Sequence, residues 1–241
     1  MDFSMKNKLF AIFQISITIF FIYYTLSKIG LYKIFEVVKS ADLLLILCAS
    51  IVYFLSQIIS SQRLWFILNE NNLKISSIEN IKLYMIGIFY NFFIPGGVGG
   101  DAYKGVLMNK KFQWGIKKIY KLLVLDRLIG FGVIMCLILV FSGFILDFEF
   151  ILEFSAVLVP LYALFFFIGK VLVQKIFDNK IVYAKAFFIS HLIQILQFVS
   201  IILILISLGV KENYFTFLYI FLISSVLSIF SFGGIGIREY V

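Results

Sequence analysis

Residues 92–103 of this chain read FFIPGGVGGDAY, and residues 229–240 read IFSFGGIGIREY. Both stretches hold a Gly-Gly pair, a β-branched residue and a third glycine, which a tyrosine follows by four positions. Each ends a long apolar run, and Asp101 of the first stretch corresponds to Arg238 of the second. Matched helix-breaking turns with adjacent charges are typical of membrane proteins that bind a ligand between broken helices.

The composition predicts an integral membrane protein. Of 241 residues, 62% are hydrophobic and 14% are charged, whereas soluble domains have about 45–50% apolar and about 25% charged residues. The apolar runs are long and continuous, which favours helices over the short alternating strands of a membrane β-barrel. We therefore predict an all-α fold: a polytopic transmembrane helix bundle that forms a single domain over residues 1–241.

Seven apolar segments are long enough to be predicted as membrane-crossing helices, which need about 20 residues. They are residues 9–27, 43–67, 78–94, 119–145, 151–169, 184–207 and 213–230. Between the first two, residues 28–42 have apolar residues at helical spacing with charged residues between them, which favours a helix lying in the membrane interface. A solvated loop is the alternative for this segment.

The distribution of lysine predicts the orientation in the membrane. Residues 104–121 hold six lysines and residues 170–185 hold four, whereas the connection between them carries Asp147, Glu149 and Glu153. Positively charged loops stay on the cytoplasmic side, so we expect a multi-pass protein of the plasma membrane with residues 147–150 outside. Topology explains the net charge of +8, and nucleic acid is not an expected partner.

The same rule predicts that one apolar segment turns back inside the membrane. If Lys6 and Lys8 are also cytoplasmic, residues 78–110 form a re-entrant hairpin that turns at the first glycine stretch. Residues 213–230 then enter from outside and break at Gly233-Gly234, which makes the two halves an inverted repeat. In the alternative count all segments cross completely and the N-terminus is outside.

The chemistry of the two turns favours a phosphate head group as the ligand. Glycine allows close approach of the backbone, and a helix that begins after such a turn directs its positive end at an anion. Lys104 and Arg238 lie about one helical turn or less beyond the glycines and add cationic donors. The alternative is that the glycines only let helices pack closely.

Three motifs in order resemble the lysylphosphatidylglycerol synthase transmembrane-region family, whose members are called flippase-like proteins. The motifs are residues 91–104 (NFFIPGGVGGDAYK), residues 125–128 (LDRL) and residues 233–239 (GGIGIRE). The family includes the membrane half of the multiple peptide resistance factor, which moves lysyl-phosphatidylglycerol between leaflets. It also includes modules associated with glycosyltransferases, thought to handle polyprenyl-linked sugars or related lipids. The resemblance implies membrane lipids as partners, and a glycosyltransferase or lipid-modifying enzyme as a partner protein.

The sequence departs from the family in three places. Lys104 replaces a common arginine, Ile229 replaces a frequent proline, and the chain stops at Val241 where members usually continue. We therefore expect a chain that is C-terminally truncated relative to the family. The soluble aminoacyl-transfer domain of the lipid-modifying members is also not present in this sequence.

Motifs and resemblance together predict one lipid head-group site. Its expected residues are Asn91, Pro95, Gly96, Gly97, Gly99, Gly100, Asp101, Lys104, Asp126, Arg127, Gly233, Gly234, Gly236, Arg238 and Glu239. The six ionisable members are expected to share one polar cavity, because ionisable groups in apolar helices usually pair or face water. Asp126 and Arg127, as neighbours on a helix, should pair with different groups; candidate partners are Asp101, Lys104, Arg238 and Glu239. The alternative is that both reach the cytoplasmic interface.

Two further polar segments have structural interpretations. Ser190, His191, Gln194, Gln197 and Ser200 form a stripe that should face the bundle interior, where interhelical hydrogen bonds explain it; a proton-relay role for His191 is the alternative. Arg63 ends the polar part of residues 43–67 and is interpreted as an interfacial anchor.

The sequence leaves three functions open. The first is a flippase or transporter of an anionic or modified lipid, either aminoacylated or linked to a polyprenyl sugar. The second is an intramembrane transferase that uses a lipid-linked donor, and the third is a non-transporting membrane partner. We find no nucleophile–base pair and no metal-ligand cluster in the sequence, so we predict no catalytic residue, no metal and no cofactor.

Overall fold

The computed structural model describes residues 31–93, 99–145, 148–177 and 180–230, and these ranges are almost entirely helical. Their eight helices, with no strand among them, confirm the predicted all-α fold. The helices are α1 (Leu31–Ser40), α2 (Leu43–Glu70), α3 (Ser77–Phe93), α4 (Gly99–Phe112), α5 (Ile116–Ile145), α6 (Phe148–Phe177), α7 (Lys180–Ser207) and α8 (Tyr214–Phe230).

Three stretches of the described helices are long and apolar enough to cross a membrane. They are Leu43–Glu70, Ile116–Ser142 and Tyr183–Ser207, which agree within a few residues with the predicted segments 43–67, 119–145 and 184–207. Tyr214–Leu227 is apolar but shorter. The predicted segment 151–169 lies within the longer α6, and the predicted segment 9–27 lies outside the described residues.

The long helices α2 and α7 pack side by side in opposite directions. Asp42 caps the start of α2 by accepting the Leu44 N–H at 2.9 Å, and its own N–H donates to the Ser207 carbonyl at the end of α7 at 3.0 Å. Two turns further along, Ser200 Oγ donates to the Ala49 carbonyl at 2.9 Å. These bonds fix the register of the central helix pair.

Helices α3 and α4 form an antiparallel pair that is shorter than the bilayer is thick. Near one end Asn91 contacts Gly100, and at the other Lys111 Nζ lies 2.6 Å from Glu79 Oε1. With 17 and 14 residues, the helices are about 25 and 21 Å long, against a hydrocarbon thickness of about 30 Å. The turn between them, residues 94–98, lies outside the described ranges, so the re-entrant hairpin stays a prediction.

The lysine-rich segments meet at one end of the bundle. Lys111 lies in the last turn of α4 and Lys118 in the first turn of α5. Lys185, near the start of α7, places its ammonium 4.0 Å from the Phe66 ring centroid, close to the end of α2. The end of α5 and the start of α6 lie at the opposite end, where Asp42 is also found. We call these the basic end and the Asp42 end.

Buried apolar side chains are concentrated in the half of the bundle next to the basic end. Leu64 and Ile67 of α2 pack with Met108 of α4 and Leu125 of α5, and each is at most 1% exposed. In contrast, the outer faces of α2, α6 and α7 expose large apolar side chains. Such a surface suits hydrocarbon rather than water. The tightly packed core near the basic end holds the helices that carry the charged groups described next.

Candidate functional site

A buried ion pair joins α2 to α5. Arg63 donates from Nε to Asp126 Oδ1 at 2.7 Å and from Nη2 to Asp126 Oδ2 at 3.0 Å. Its Nη1 donates to Ser190 Oγ of α7 at 2.8 Å, and the Ser190 hydroxyl donates to the Ala186 carbonyl at 2.7 Å. Both charged side chains are only 9% exposed. This two-bond geometry, with a third partner for the guanidinium, compensates for much of the cost of burying the charges.

Gly130 makes room for the guanidinium. It lies one turn after Asp126 on α5, and a Cβ at this position would lie 3.0 Å from Arg63 Nη1. Any larger residue would press on the arginine at the point where it bonds to Ser190. Gly130 is therefore part of the ion-pair site because its lack of a side chain leaves room for the guanidinium.

A second charged cluster lies at the N-terminus of α4. Asp101 Oδ1 is 2.8 Å from Lys104 Nζ, one turn later in the helix, and Asp101 Oδ2 accepts a hydrogen bond from Arg127 Nε of α5. The Lys104 side chain is 4% exposed and that of Asp101 15%, whereas that of Arg127 is 36% exposed. One carboxylate thus bridges two cations, and the cluster opens on the side of Arg127.

Tyr84 of α3 lies between the two charged clusters. Lys104 Nζ sits 4.6 Å from its ring centroid, a cation–π contact. Asp126, Arg63 and Asp101 are also near the phenol. Since Asp126 and Arg127 are adjacent in the sequence, five ionisable side chains and one phenol form one polar region between α2, α3, α4 and α5.

Close backbone contact holds α3 against the N-terminus of α4. The Gly100 N–H donates to Asn91 Oδ1 at 2.8 Å, which satisfies one of the amide groups that a helix start leaves without a partner. A Cβ on Gly100 would lie 1.9 Å from the Gly87 carbonyl oxygen, so only glycine fits there. The N-terminal turn of α4 is therefore fixed where Asp101 meets Lys104 and Arg127.

The charged groups lie well inside the bundle. Arg63 is seven residues before the end of α2, Asp126 ten residues after the start of α5, and Asp101 eleven residues before the end of α4. At about 1.5 Å per residue, these positions are about 10–16 Å from the basic end. The site is consequently at a depth where an ion without a partner would be costly, and among the ionised side chains named here three cations face two carboxylates.

Seven of the fifteen residues predicted for the site lie in the described part of the chain. They are Asn91, Gly99, Gly100, Asp101, Lys104, Asp126 and Arg127, and all belong to α3, α4 or α5 near the two clusters. The other eight, Pro95, Gly96, Gly97, Gly233, Gly234, Gly236, Arg238 and Glu239, lie outside the described residues. Arg127 pairs with Asp101, one of its four candidate partners. A cavity shared by all six ionisable members stays a prediction.

Two interpretations of individual residues were wrong. Arg63 is not an interfacial anchor: it is 7% exposed and is the partner of Asp126, which was expected to pair with another charged residue of the predicted site. Asp126 itself is 6% exposed and does not reach the interface. The error has a physical cause, because α2 continues to Glu70 and places Arg63 about two turns inside the helix end.

The polar stripe of α7 faces other helices, as expected. Ser190 bonds to Arg63 and Ser200 to the Ala49 carbonyl, while His191 Nε2 hydrogen-bonds with the Tyr162 hydroxyl of α6 and its Nδ1 with the Phe187 carbonyl. Gln194 is also buried, and its Oε1 has no hydrogen-bond partner among the described residues. Interhelical hydrogen bonding accounts for Ser190, His191 and Ser200.

The apolar helices and the buried charged site define a membrane protein. Comparison with known sequences then identifies its family: residues 11–241 match the lysylphosphatidylglycerol synthase TM region, and the chain belongs to this family. It is also similar to a UPF0104 membrane protein of Pyrococcus horikoshii, with 27% identity over 127 residues. That alignment spans 52% of this chain and 37% of the relative. No solved structure matches the chain.

Proposed function

We propose that this protein binds the phosphate-bearing head group of a membrane lipid between α3, α4 and α5 and moves the lipid between leaflets. The observation that carries the proposal is the cluster at the start of α4, where Lys104 and Arg127 converge on one carboxylate inside an apolar bundle. Cations at this depth are costly, and an anionic ligand is the chemistry that they suit.

Three features support a phosphate as the recognised group. The N-terminus of α4 adds the positive end of its dipole beside Asp101. Arginine matches phosphate with two donors in one plane, and lysine adds a point charge. The Arg127 side of the cluster is the more exposed one, which provides the direction from which a head group approaches.

The family supports a lipid as the molecule that carries the phosphate. Its description refers to the transmembrane region of a lysylphosphatidylglycerol synthase, a protein named for a lipid product. Aminoacylated lipids and polyprenyl-linked sugars are the candidate substrates, since both carry phosphate on an apolar tail. We further propose a multi-pass arrangement in the plasma membrane with the basic end facing the cytoplasm, since positive loops stay inside.

Reconstitution into liposomes tests this proposal. The full chain is placed in vesicles that contain fluorescent phosphatidylglycerol or fluorescent phosphatidylcholine, and a membrane-impermeant quencher measures how fast each lipid changes leaflet. We expect transfer of the anionic lipid above the rate of protein-free vesicles. Arg127→Gln and Lys104→Gln should reduce that rate at least about tenfold, the loss expected from one charge-assisted hydrogen bond.

Lys118→Gln is the matched control, because Lys118 is exposed at the basic end and loses the same charge outside the site. Its transfer rate should stay close to that of the unmodified protein. An equal effect of Lys118→Gln and Arg127→Gln, or no transfer above protein-free vesicles, would contradict the proposal.

A further inference from the structure

We infer that Asp101 is an internal competitor of the head group: its carboxylate occupies the two cations that a bound phosphate uses, and the ligand displaces it. This inference rests on the proposed function, because it concerns the same site. The inference adds that Asp101 binds the two cations before a lipid arrives. The phosphate of the lipid then takes the place of the Asp101 carboxylate.

The geometry of Asp101 is that of a bound anion. One carboxylate oxygen lies 2.8 Å from Lys104 Nζ, and the other accepts from Arg127 Nε. A phosphate diester also presents two unesterified oxygens on one atom, and arginine accepts carboxylate and phosphate in the same planar geometry. A head group that takes these two contacts leaves neither cation without an anion.

The neighbouring ion pair is a carboxylate site that a ligand cannot enter, and it contrasts with the site of Asp101. Asp126 holds Arg63 through two bonds, both side chains are 9% exposed, and Ser190 takes the third guanidinium contact. Asp101 instead divides its two oxygens between two cations, Lys104 and Arg127, and the Arg127 side chain is 36% exposed. The first arrangement is closed to a ligand, and the second is open on one side.

Removing the charge of Asp101 should strengthen the binding of anionic lipid. In Asp101→Asn the ammonium of Lys104, whose side chain is 4% exposed, loses its carboxylate partner, and a buried charge without a partner destabilises the fold. An anion that enters the site restores the pairing and no longer has a competitor. We therefore expect the variant to bind anionic lipid about tenfold more tightly, the value of one charge-assisted hydrogen bond.

The experiment uses the full chain in an uncharged detergent. Short-chain phosphatidylglycerol and phosphatidylcholine are titrated into the unmodified protein, Asp101→Asn, Lys104→Met and the control Glu79→Gln, which removes a carboxylate paired with Lys111 outside the site. Binding and thermal unfolding are measured on the same samples. The expected result is a gain in affinity for phosphatidylglycerol alone, in Asp101→Asn alone, with a larger rise in its unfolding temperature on adding that lipid.

Each other outcome has one meaning. Weaker or equal binding of phosphatidylglycerol by folded Asp101→Asn, an equal gain for phosphatidylcholine, or an unfolded variant that phosphatidylglycerol does not rescue overturns the inference. An equal gain in Glu79→Gln overturns it too, since the loss of any paired carboxylate then has the same effect. If Lys104→Met binds phosphatidylglycerol as the unmodified protein does, the proposed head-group site itself fails; weakened binding by Lys104→Met with no gain in Asp101→Asn removes only the competitor.

Discussion

Asp126 and Arg127 are consecutive residues of α5, and each forms an ion pair with a different helix: Asp126 with Arg63 of α2, and Arg127 with Asp101 of α4. Neighbours on a helix point about 100° apart, so one turn of α5 joins two partners that do not contact it from the same side. Rotation of α5 about its axis would break both pairs at once. The relationship therefore fixes the orientation of α5 and presents Arg127 to the start of α4.

We expect the Arg63–Asp126 pair to be essential for stability. Arg63→Met leaves the Asp126 carboxylate buried without a cation and should lower the free energy of unfolding by about 3–5 kcal/mol. The double variant Arg63→Met with Asp126→Leu should be more stable than Arg63→Met alone, because it buries no charge. Denaturant unfolding in detergent measures both, and a double variant that is the least stable of the three would contradict this account.

The close contact between α3 and α4 predicts that two alanine substitutions differ in their effect on stability. Gly100→Ala places a Cβ 1.9 Å from the Gly87 carbonyl oxygen and should cost about 3 kcal/mol, the upper end for overpacking. Gly87→Ala meets its nearest atoms at 3.4 Å, an ordinary contact, and alanine favours a helix. It should be close to neutral. Thermal unfolding of the two variants side by side decides the matter, and equal stability would show that the helices separate easily.

The orientation of the bundle can be tested by cysteine labelling. In a background with Cys48→Ser and Cys136→Ser, Lys118→Cys and Lys185→Cys should react only with a membrane-permeant reagent, and Phe148→Cys also with an impermeant one. The reason is that the two lysines belong to the basic end and α6 starts at the opposite end. Reaction of all three with the impermeant reagent in intact cells would rule out this orientation.

The two glycine turns remain a prediction from the sequence. Gly97→Leu and Gly234→Leu should abolish lipid transfer in the liposome assay, because a side chain at these points blocks the approach of the backbone to a ligand. Both proteins should still insert into the membrane. If both transfer lipid at the unmodified rate, the glycines serve helix packing only.

Much of the charged site could be predicted because ionisable residues in apolar runs are conspicuous. Asp101, Lys104, Asp126 and Arg127 are predicted on that ground, and Asp101 is one of the four candidate partners that the sequence offers for Arg127. Arg63 was missed because long basic side chains near a helix end usually extend to the interface. A signal was present: Ser56, Ser60 and Arg63 share one helix face, which is buried in the bundle.

What the sequence could not supply is the register between helices. Residues 63, 126 and 190 are brought together by packing of α2, α5 and α7, and no local pattern gives that alignment. The same holds for Gly130, whose role depends on the guanidinium of another helix filling the space beside it. The sequence pattern identifies the helices and the charged residues within them. Tertiary packing decides which charged residues form pairs.

The hydrogen bonds between α2 and α7 join these two helices into one unit. Asp42 with Ser207, Ala49 with Ser200, and Arg63 with Ser190 join these helices at three levels along their length. A change of conformation that keeps all three bonds leaves α2 and α7 as one stationary frame. If the protein moves lipid as proposed, we expect the shorter α3–α4 pair to be displaced relative to α2 and α7 as the head group passes.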